Sequence, residues 1–177
     1  MRTLKFATSD KNQLHFSAAV RKNVNDYFKE KGIPQTANYA MVLQTIVMLS
    51  LYIVPFILIL TIPMNIWVAL GLVIVMGLGT AGIGMSVMHD AVHGSYSRKE
   101  WVNKMFGSSM YLLGSNVFNW KVQHNILHHT NTNIDGFDGD IDSKGPIRLS
   151  HSAPYKKFHR YQHFHAFFFY GLMTLSK

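Results

Sequence analysis

The sequence contains no cysteine, which excludes thiolate-held zinc, iron–sulfur clusters and disulfides. Acid is scarce as well, with nine Asp and Glu against 17 Lys and Arg, giving a formal net charge of +8. Charge of either sign is missing altogether between Lys31 and Asp90. A bilayer core takes about 20 apolar residues per helix, so a two-helix hairpin needs roughly 40 and a turn. The charge-free stretch holds both. The expected spans cover residues 40–60 and 66–88, with Thr61-Ile62-Pro63-Met64-Asn65 as the turn, where Pro and Asn break the helix. A soluble protein with both runs as core helices is the weaker reading, because adjacent charge-free runs this long are rare outside membranes. Polar and basic residues fill positions 1–38 ahead of the first run, unlike a cleavable signal peptide, so that run is read as an anchor.

What charge there is lies outside the hairpin. Seven of the Lys and Arg residues fall in residues 1–31, the other ten lie beyond residue 97, and none is in the turn between the spans. Clustering on a nucleic-acid face is not the pattern. The positive-inside rule instead places the N-terminal segment, 1–38, and everything after residue 88 on the cytoplasmic side, with the basic excess facing anionic headgroups. Apolar residues at 16, 20, 24, 27 and 28 give the N-terminal segment helical spacing, suited to lying along the membrane or the domain that follows. Gly77, Gly79, Gly82 and Gly84, with Thr80, Ala81 and Ser86, offer small faces for helix packing in the second span. From Trp101 to Phe118, apolar patches are broken by Gly107, Ser108, Ser109, Gly114 and Ser115, which fits an interfacial or re-entrant helix better than a third span. A polar loop is expected from Asp135 to about Pro154. A further apolar stretch starts near residue 166 and runs toward Lys177, so the chain is expected to stop inside a third span. The resulting fold class is an all-α integral membrane protein, with a helical hairpin and cytoplasmic helices.

Five of the ten histidines fall into two tight clusters. In His89-Asp90-Ala91-Val92-His93, positions i and i+4 share a helical face and bring two imidazoles within reach of one ion. In His124-Asn125-Ile126-Leu127-His128-His129, the first and fifth residues repeat that geometry. In an α-helix, His129 would point about 100° away, toward another metal. Imidazole accepts iron, zinc, copper and nickel, so ligand type alone does not choose among them. The His-Glu-x-x-His pattern of zinc proteases is not met, since Asp90 stands in the glutamate position.

The two clusters, in the contexts His89-Asp90-Ala91-Val92-His93-Gly94-Ser95 and Trp120-Lys121-Val122-Gln123-His124-Asn125-Ile126-Leu127-His128-His129-Thr130-Asn131, resemble the first two histidine boxes of the integral-membrane fatty acid desaturases. The run Asn131-Thr132-Asn133-Ile134-Asp135-Gly136 and the acids after it look like the front-end, linoleoyl-CoA type. The resemblance extends from about residue 10 to the end, making residues 39–177 the N-terminal part of such a domain. It implies that His89, His93, His124, His128 and His129 are iron ligands of a two-iron centre, with dioxygen as co-substrate. It also implies an acyl-CoA or acyl-lipid substrate, whose polar head would meet Arg98, Lys99, Lys156, Lys157 and Arg160. The family's third box follows a second pair of spans; this sequence ends before it, and the 177 residues alone are expected to be inactive. No fused cytochrome b5 fits in the short N-terminal segment, so electrons are expected from a separate ferredoxin or cytochrome b5. A bacterial inner membrane is the expected location.

Around the boxes, Asp90 is a candidate acceptor for a ligand imidazole, and Asn125 a candidate to line the substrate channel or brace its box. Trp120 is read as a packing residue. Asp135, Asp138, Asp140 and Asp142 lack the distal glutamate of an EF-hand, so a solvated loop is expected. His15 and His151 are read as surface residues. His159, His163 and His165 mimic a box without its adjacent pair. Related diiron hydroxylases share such boxes, and product analysis separates them from desaturases. A metal transporter would place its ligands within the spans rather than beyond them.

Overall fold

The computed structural model describes residues 11–141 and 146–172, and every regular element among them is helical. An amphipathic helix, α1 (Lys11–Lys31), leads in, with Phe16, Val20, Val24 and Tyr27 exposed along it. Two long apolar helices follow, α2 (Tyr39–Thr61) and α3 (Ile66–Val92). Each starts on an asparagine cap. Asn38 Oδ1 accepts from the Met41 amide at 3.0 Å, and Asn65 Oδ1 from the Trp67 and Val68 amides at 2.8 and 3.3 Å. These side chains satisfy amides that a helix start leaves without partners, and Asn65 thereby sets the turn between the two helices.

Helix α3 is longer than a bilayer core requires, enough to carry the first histidine box beyond it. At 1.5 Å per residue, the 27 residues of α3 extend roughly 40 Å, against a hydrocarbon core of about 30 Å. Large apolar side chains face outward along both helices, including Ile46, Leu60, Trp67, Ile74 and Leu78. Core helices of a soluble protein would bury them. A surface this apolar is stable only against lipid tails, so the chain is a membrane protein.

The helices run antiparallel and touch through small residues. A Cβ at Gly79 would lie 2.8 Å from Tyr52 N and 2.9 Å from the Leu51 carbonyl carbon, both backbone atoms. Backbone against backbone is the contact that only glycine permits. By contrast, Gly77 has open space around it, so the small face is narrower than the glycine pattern implies. Farther along, Gln44 Nε2 reaches Ser86 Oγ at 3.4 Å, and Thr45 Oγ1 shares a buried 2.8 Å hydrogen bond with Tyr96 OH.

The buried core lies at the box end of the hairpin. Ile83, Met88, Val92 and Met110 form it, with Met48, Leu49, Tyr52, Leu113, Val117 and Trp120 packed against it. Helix α4 (Glu100–Gly107) continues as a 3-10 segment, Ser108–Leu113, and stops where Gly114 turns left-handed at φ 72°. The stretch 101–118 is thus two short pieces and not a span, in keeping with the glycine and serine breaks. The next helix, α5, comprises an α-helical turn Val117–Trp120, a π-helical segment Lys121–His128 and a last turn His129–Asn131. After the loop, a 3-10 turn Lys157–Tyr161 leads to α6 (Gln162–Leu172). The expected third apolar segment coincides with α6 as far as residue 172, and its remainder lies outside the described residues.

Candidate metal centre

Wider-than-α winding shapes both boxes. In α3, residues Ile83–Met88 are π-helical immediately before the first box, and Ser86 Oγ back-bonds to Gly82 O there at 2.7 Å. His89 and His93 follow on an α-turn closed by a 3.1 Å bond from His93 N–H to His89 O. Their ring centroids are 4.5 Å apart, the shared face that their spacing requires. The second box departs from the α-helical expectation. The His129 amide donates to His124 O, five residues back, so a turn here takes in one more residue than an α-helical turn. His129 is thereby brought nearer to His124, with ring centroids 4.8 Å apart.

All five imidazoles meet as a result. His124 lies 5.4 and 5.5 Å from His89 and His93, and 5.2 Å from His128, while His129 is 4.9 Å from His93. Ligand atoms of two sets, His89–His93–His124 and His124–His128–Asp140, each fall within 4.8 Å of one another. His124 belongs to both. The Nε2 atoms of His93 and His124 are buried without a hydrogen-bond partner, which is costly unless something accepts the lone pair. A mainly imidazole cluster with orphaned nitrogens fits a divalent transition metal.

Burial lowers the His93 pKa below the ordinary imidazole value, and its neighbours His89, His129 and His124 lower it further. Burial likewise outweighs the nearby Asp140 carboxylate and lowers that of His124. Both rings are thus neutral at neutral pH and have a free lone pair for metal. The unfolded chain takes up protons near pH 6.5, above the folded values. The cluster's stability is therefore fully present above about pH 6.5 and is lost as pH falls below it. Protons also compete with metal for imidazole. Fe(II) occupancy, measured by equilibrium dialysis, should be flat above about pH 7 and decline below about 6.5. Occupancy unchanged down to about pH 5 would contradict this picture of the cluster.

Trp120 packs where expected, but it packs on the chemistry. Its indole stacks on His124 at 4.2 Å and approaches His89 and His93 edge-on at 5.6 and 5.7 Å. Asn125 braces its box, with Nδ2 donating to Val92 O at 3.4 Å. Asp90 Oδ1 stands 3.3 Å from His89 Nδ1. Asn103 supports the turn after the first box: Oδ1 accepts from Ser97 N and Nδ2 donates to Ser97 O, both at 2.8 Å. No spacing rule would have singled it out.

The acidic loop corrects the sequence reading. Asp135 is exposed, yet Asp138 is fully buried against His128, and Asp140 lies 3.4 Å from His124 Nδ1 and 3.6 Å from His128 Nδ1. Asp142 lies outside the described residues. A solvated loop was expected from composition; Asp135 is solvated, whereas Asp138 is buried against His128, ten residues back on the π-helix. The available signal was density, four of nine acids within residues 135–142, directly after a histidine box. His15 and His151 are exposed as expected. His159 is buried, His163 is exposed, and neither joins the five-histidine cluster.

The fatty acid desaturase family matches residues 64–176, more than half of the chain and both boxes. This chain belongs to the fatty acid desaturase family. Among curated relatives, the chain is 35% identical over 155 residues to the sn-1 linoleoyl-lipid 6-desaturase of Arthrospira platensis, covering 88% of this chain and 42% of that protein. It is 31% identical over 176 residues to the acyl-lipid (8-3)-desaturase of Physcomitrium patens, covering 98% and 36% respectively. A sn-1 linoleoyl-lipid 6-desaturase of Synechocystis sp. is 31% identical over 150 residues, covering 85% and 42%. The chain thus spans about two fifths of the length of these relatives. No solved structure matches it. Family membership implies iron use, and the histidine groups are able to hold a metal.

Proposed function

We propose that the protein encoded by the full-length gene is a front-end acyl-lipid desaturase, which uses dioxygen and two iron ions to insert a cis double bond into an acyl chain. The observation that carries this reading is the convergence of His89, His93, His124, His128 and His129 at one end of an apolar hairpin. These five would be the iron ligands contributed by this part of the protein. Bound iron would supply the oxidising power to break an unactivated C–H bond, which no side chain supplies.

The chain's own residues bind, orient and exclude water. The imidazoles would hold the metal, and Trp120 stacks on His124 and meets His89 and His93 edge to face, an apolar group beside three of them. A cavity of about 230 Å³, lined in part by Met110, Asn119, Trp120, Gln123, His124 and Asp140, opens beside the cluster. Exposed Arg98, Lys99, Lys156, Lys157 and Arg160 stand ready for a lipid headgroup. The names of the relatives favour a lipid-bound acyl group over a coenzyme A thioester. The N-terminal segment and boxes are assigned to the cytoplasmic side by the positive-inside distribution, in a bacterial inner membrane. Ferredoxin or cytochrome b5 would supply the electrons.

Expression of the full-length gene in a host lacking the activity tests the reading through acyl-chain composition and iron content. The expected result is a new fatty acid two hydrogens lighter than its precursor, with a pair of iron ions per chain. A product carrying an added oxygen would identify a hydroxylase. Membrane-inserted protein without iron, in cells with unchanged lipids, would overturn the proposal.

A further inference from the structure

Asp138 is the most deeply buried acid among the described residues, with no exposed surface. Its carboxylate is fully engaged. His128 Nδ1 lies 3.0 Å from Oδ1 and 3.1 Å from Oδ2. The Asn133 amide donates to Oδ2 at 2.8 Å and the Asp140 amide to Oδ1 at 3.0 Å. The loop between histidine and aspartate is built to deliver this contact. Asn131 Nδ2 and Thr132 Oγ1 donate back to Leu127 O and His128 O, at 3.0 and 2.8 Å. Asn133 turns left-handed at φ 62°, a conformation asparagine tolerates better than most side chains, and Asp138 N closes onto Ile134 O at 2.9 Å. Burying a carboxylate is unfavourable unless it is paired and hydrogen-bonded. Apolar packing would close a surface loop at less cost, so a buried acid aimed at one imidazole nitrogen calls for a positional reason.

We propose that Asp138 is a positioning residue, which holds the His128 ring in the Nδ1–H tautomer and turns Nε2 toward the metal. The inference rests on the iron reading given above. A carboxylate accepts and does not donate, so the nitrogen facing it carries the proton, and the lone pair is left on Nε2. Metal-ligating histidines commonly have their second nitrogen fixed in this way. Two other box histidines show looser versions. Asp90 lies 3.3 Å from His89 Nδ1, and Asp140 lies 3.4 Å from His124 Nδ1, each carboxylate being part-exposed. His128 thus has the most tightly held ring.

The test compares the full-length protein, Asp138→Asn, His128→Ala and the double variant by Fe(II) equilibrium dialysis. Asp138→Asn alone should weaken Fe(II) binding by roughly 10- to 100-fold. In the His128→Ala background the same change should do nothing further, because the residue acts through that ring. Affinity unaltered by Asp138→Asn, or an equal loss in both backgrounds, would overturn the proposal and leave Asp138 as a loop-closing residue. A second measurement needs no aspartate variant and stands even where Asp138→Asn fails to fold. The ¹⁵N spectrum of the metal-free protein, with the His128 signal assigned by its loss in His128→Ala, should show the Nδ1–H tautomer, and an Nε2–H tautomer sinks the idea. Unsubstituted protein that inserts but binds no Fe(II) would instead mark failure of the iron reading itself.

Discussion

His124→Ala should abolish detectable desaturation in the full-length protein and lower Fe(II) affinity by at least about 100-fold, the upper end of what losing even an indirect metal partner costs. The size follows from its position. His124 is common to both ligand sets, His89–His93–His124 and His124–His128–Asp140. Its ring contacts those of His89, His93, His128 and His129, and Trp120 stacks on it at 4.2 Å. Removing it takes a member from both candidate ligand groups and the platform from under the indole. The other box histidines each occur in one set or neither, so their alanine variants should retain more iron. His15→Ala and His151→Ala, both exposed and remote from the cluster, are the controls and should leave iron content and product unchanged. Full iron loading in His124→Ala would show that the imidazole cluster is not the metal centre.

Gly79→Ala should destabilise the hairpin by about 1–3 kcal/mol, the usual cost of overpacking, whereas Gly77→Ala should be close to neutral. The new Cβ at position 79 would meet Tyr52 N at 2.8 Å, the Leu51 carbonyl carbon at 2.9 Å and Met48 O at 3.1 Å. All three are backbone atoms, so no rotamer change relieves the contact and α2 and α3 must separate. At position 77 nothing lies within 4 Å. Thermal unfolding in detergent should show a drop of several degrees, roughly 2–10 °C, for the first variant only. Separation would also disturb Met48 and Tyr52, which pack against the core beneath the boxes, so iron affinity should fall with it. Equal melting temperatures for the two variants would mean that the helices do not meet at Gly79.

Much of the architecture was legible before any coordinates. Helices α2 and α3 run over Tyr39–Thr61 and Ile66–Val92, against expected spans of 40–60 and 66–88. The agreement has a simple cause: a charge-free run long enough to cross a bilayer has few alternatives to a helix once water is absent. The break at Gly114 and the contact between His89 and His93 were equally readable, because both depend on residues close in sequence.

Where the reading fell short, distant residues or irregular winding decided the outcome. His129 was expected on another face because a 3.6-residue turn was assumed, and the π-helical Lys121–His128 segment brings it nearer to His124. Wider winding is rare in helices and frequent at functional sites, and nothing in Lys121-Val122-Gln123 announces it. The acids at 138 and 140 read as a solvated loop because composition ignores partners. Folding the loop back over α5 buries one against His128 and sets the other beside His124. Trp120 was read as packing, which its place against the core supports, but the stack on His124 required tertiary geometry.

By itself, the sequence determined the membrane hairpin, the exclusion of thiolate metal chemistry and the identity of the five imidazoles, because each rests on residue type or on spacing within a turn or two. Only the tertiary structure decided that these imidazoles form one cluster, with His124 at its centre and a buried carboxylate behind His128. That convergence depends on where α3 and α5 cross and on how a loop folds back, and such contacts are fixed by packing between segments that local patterning does not relate.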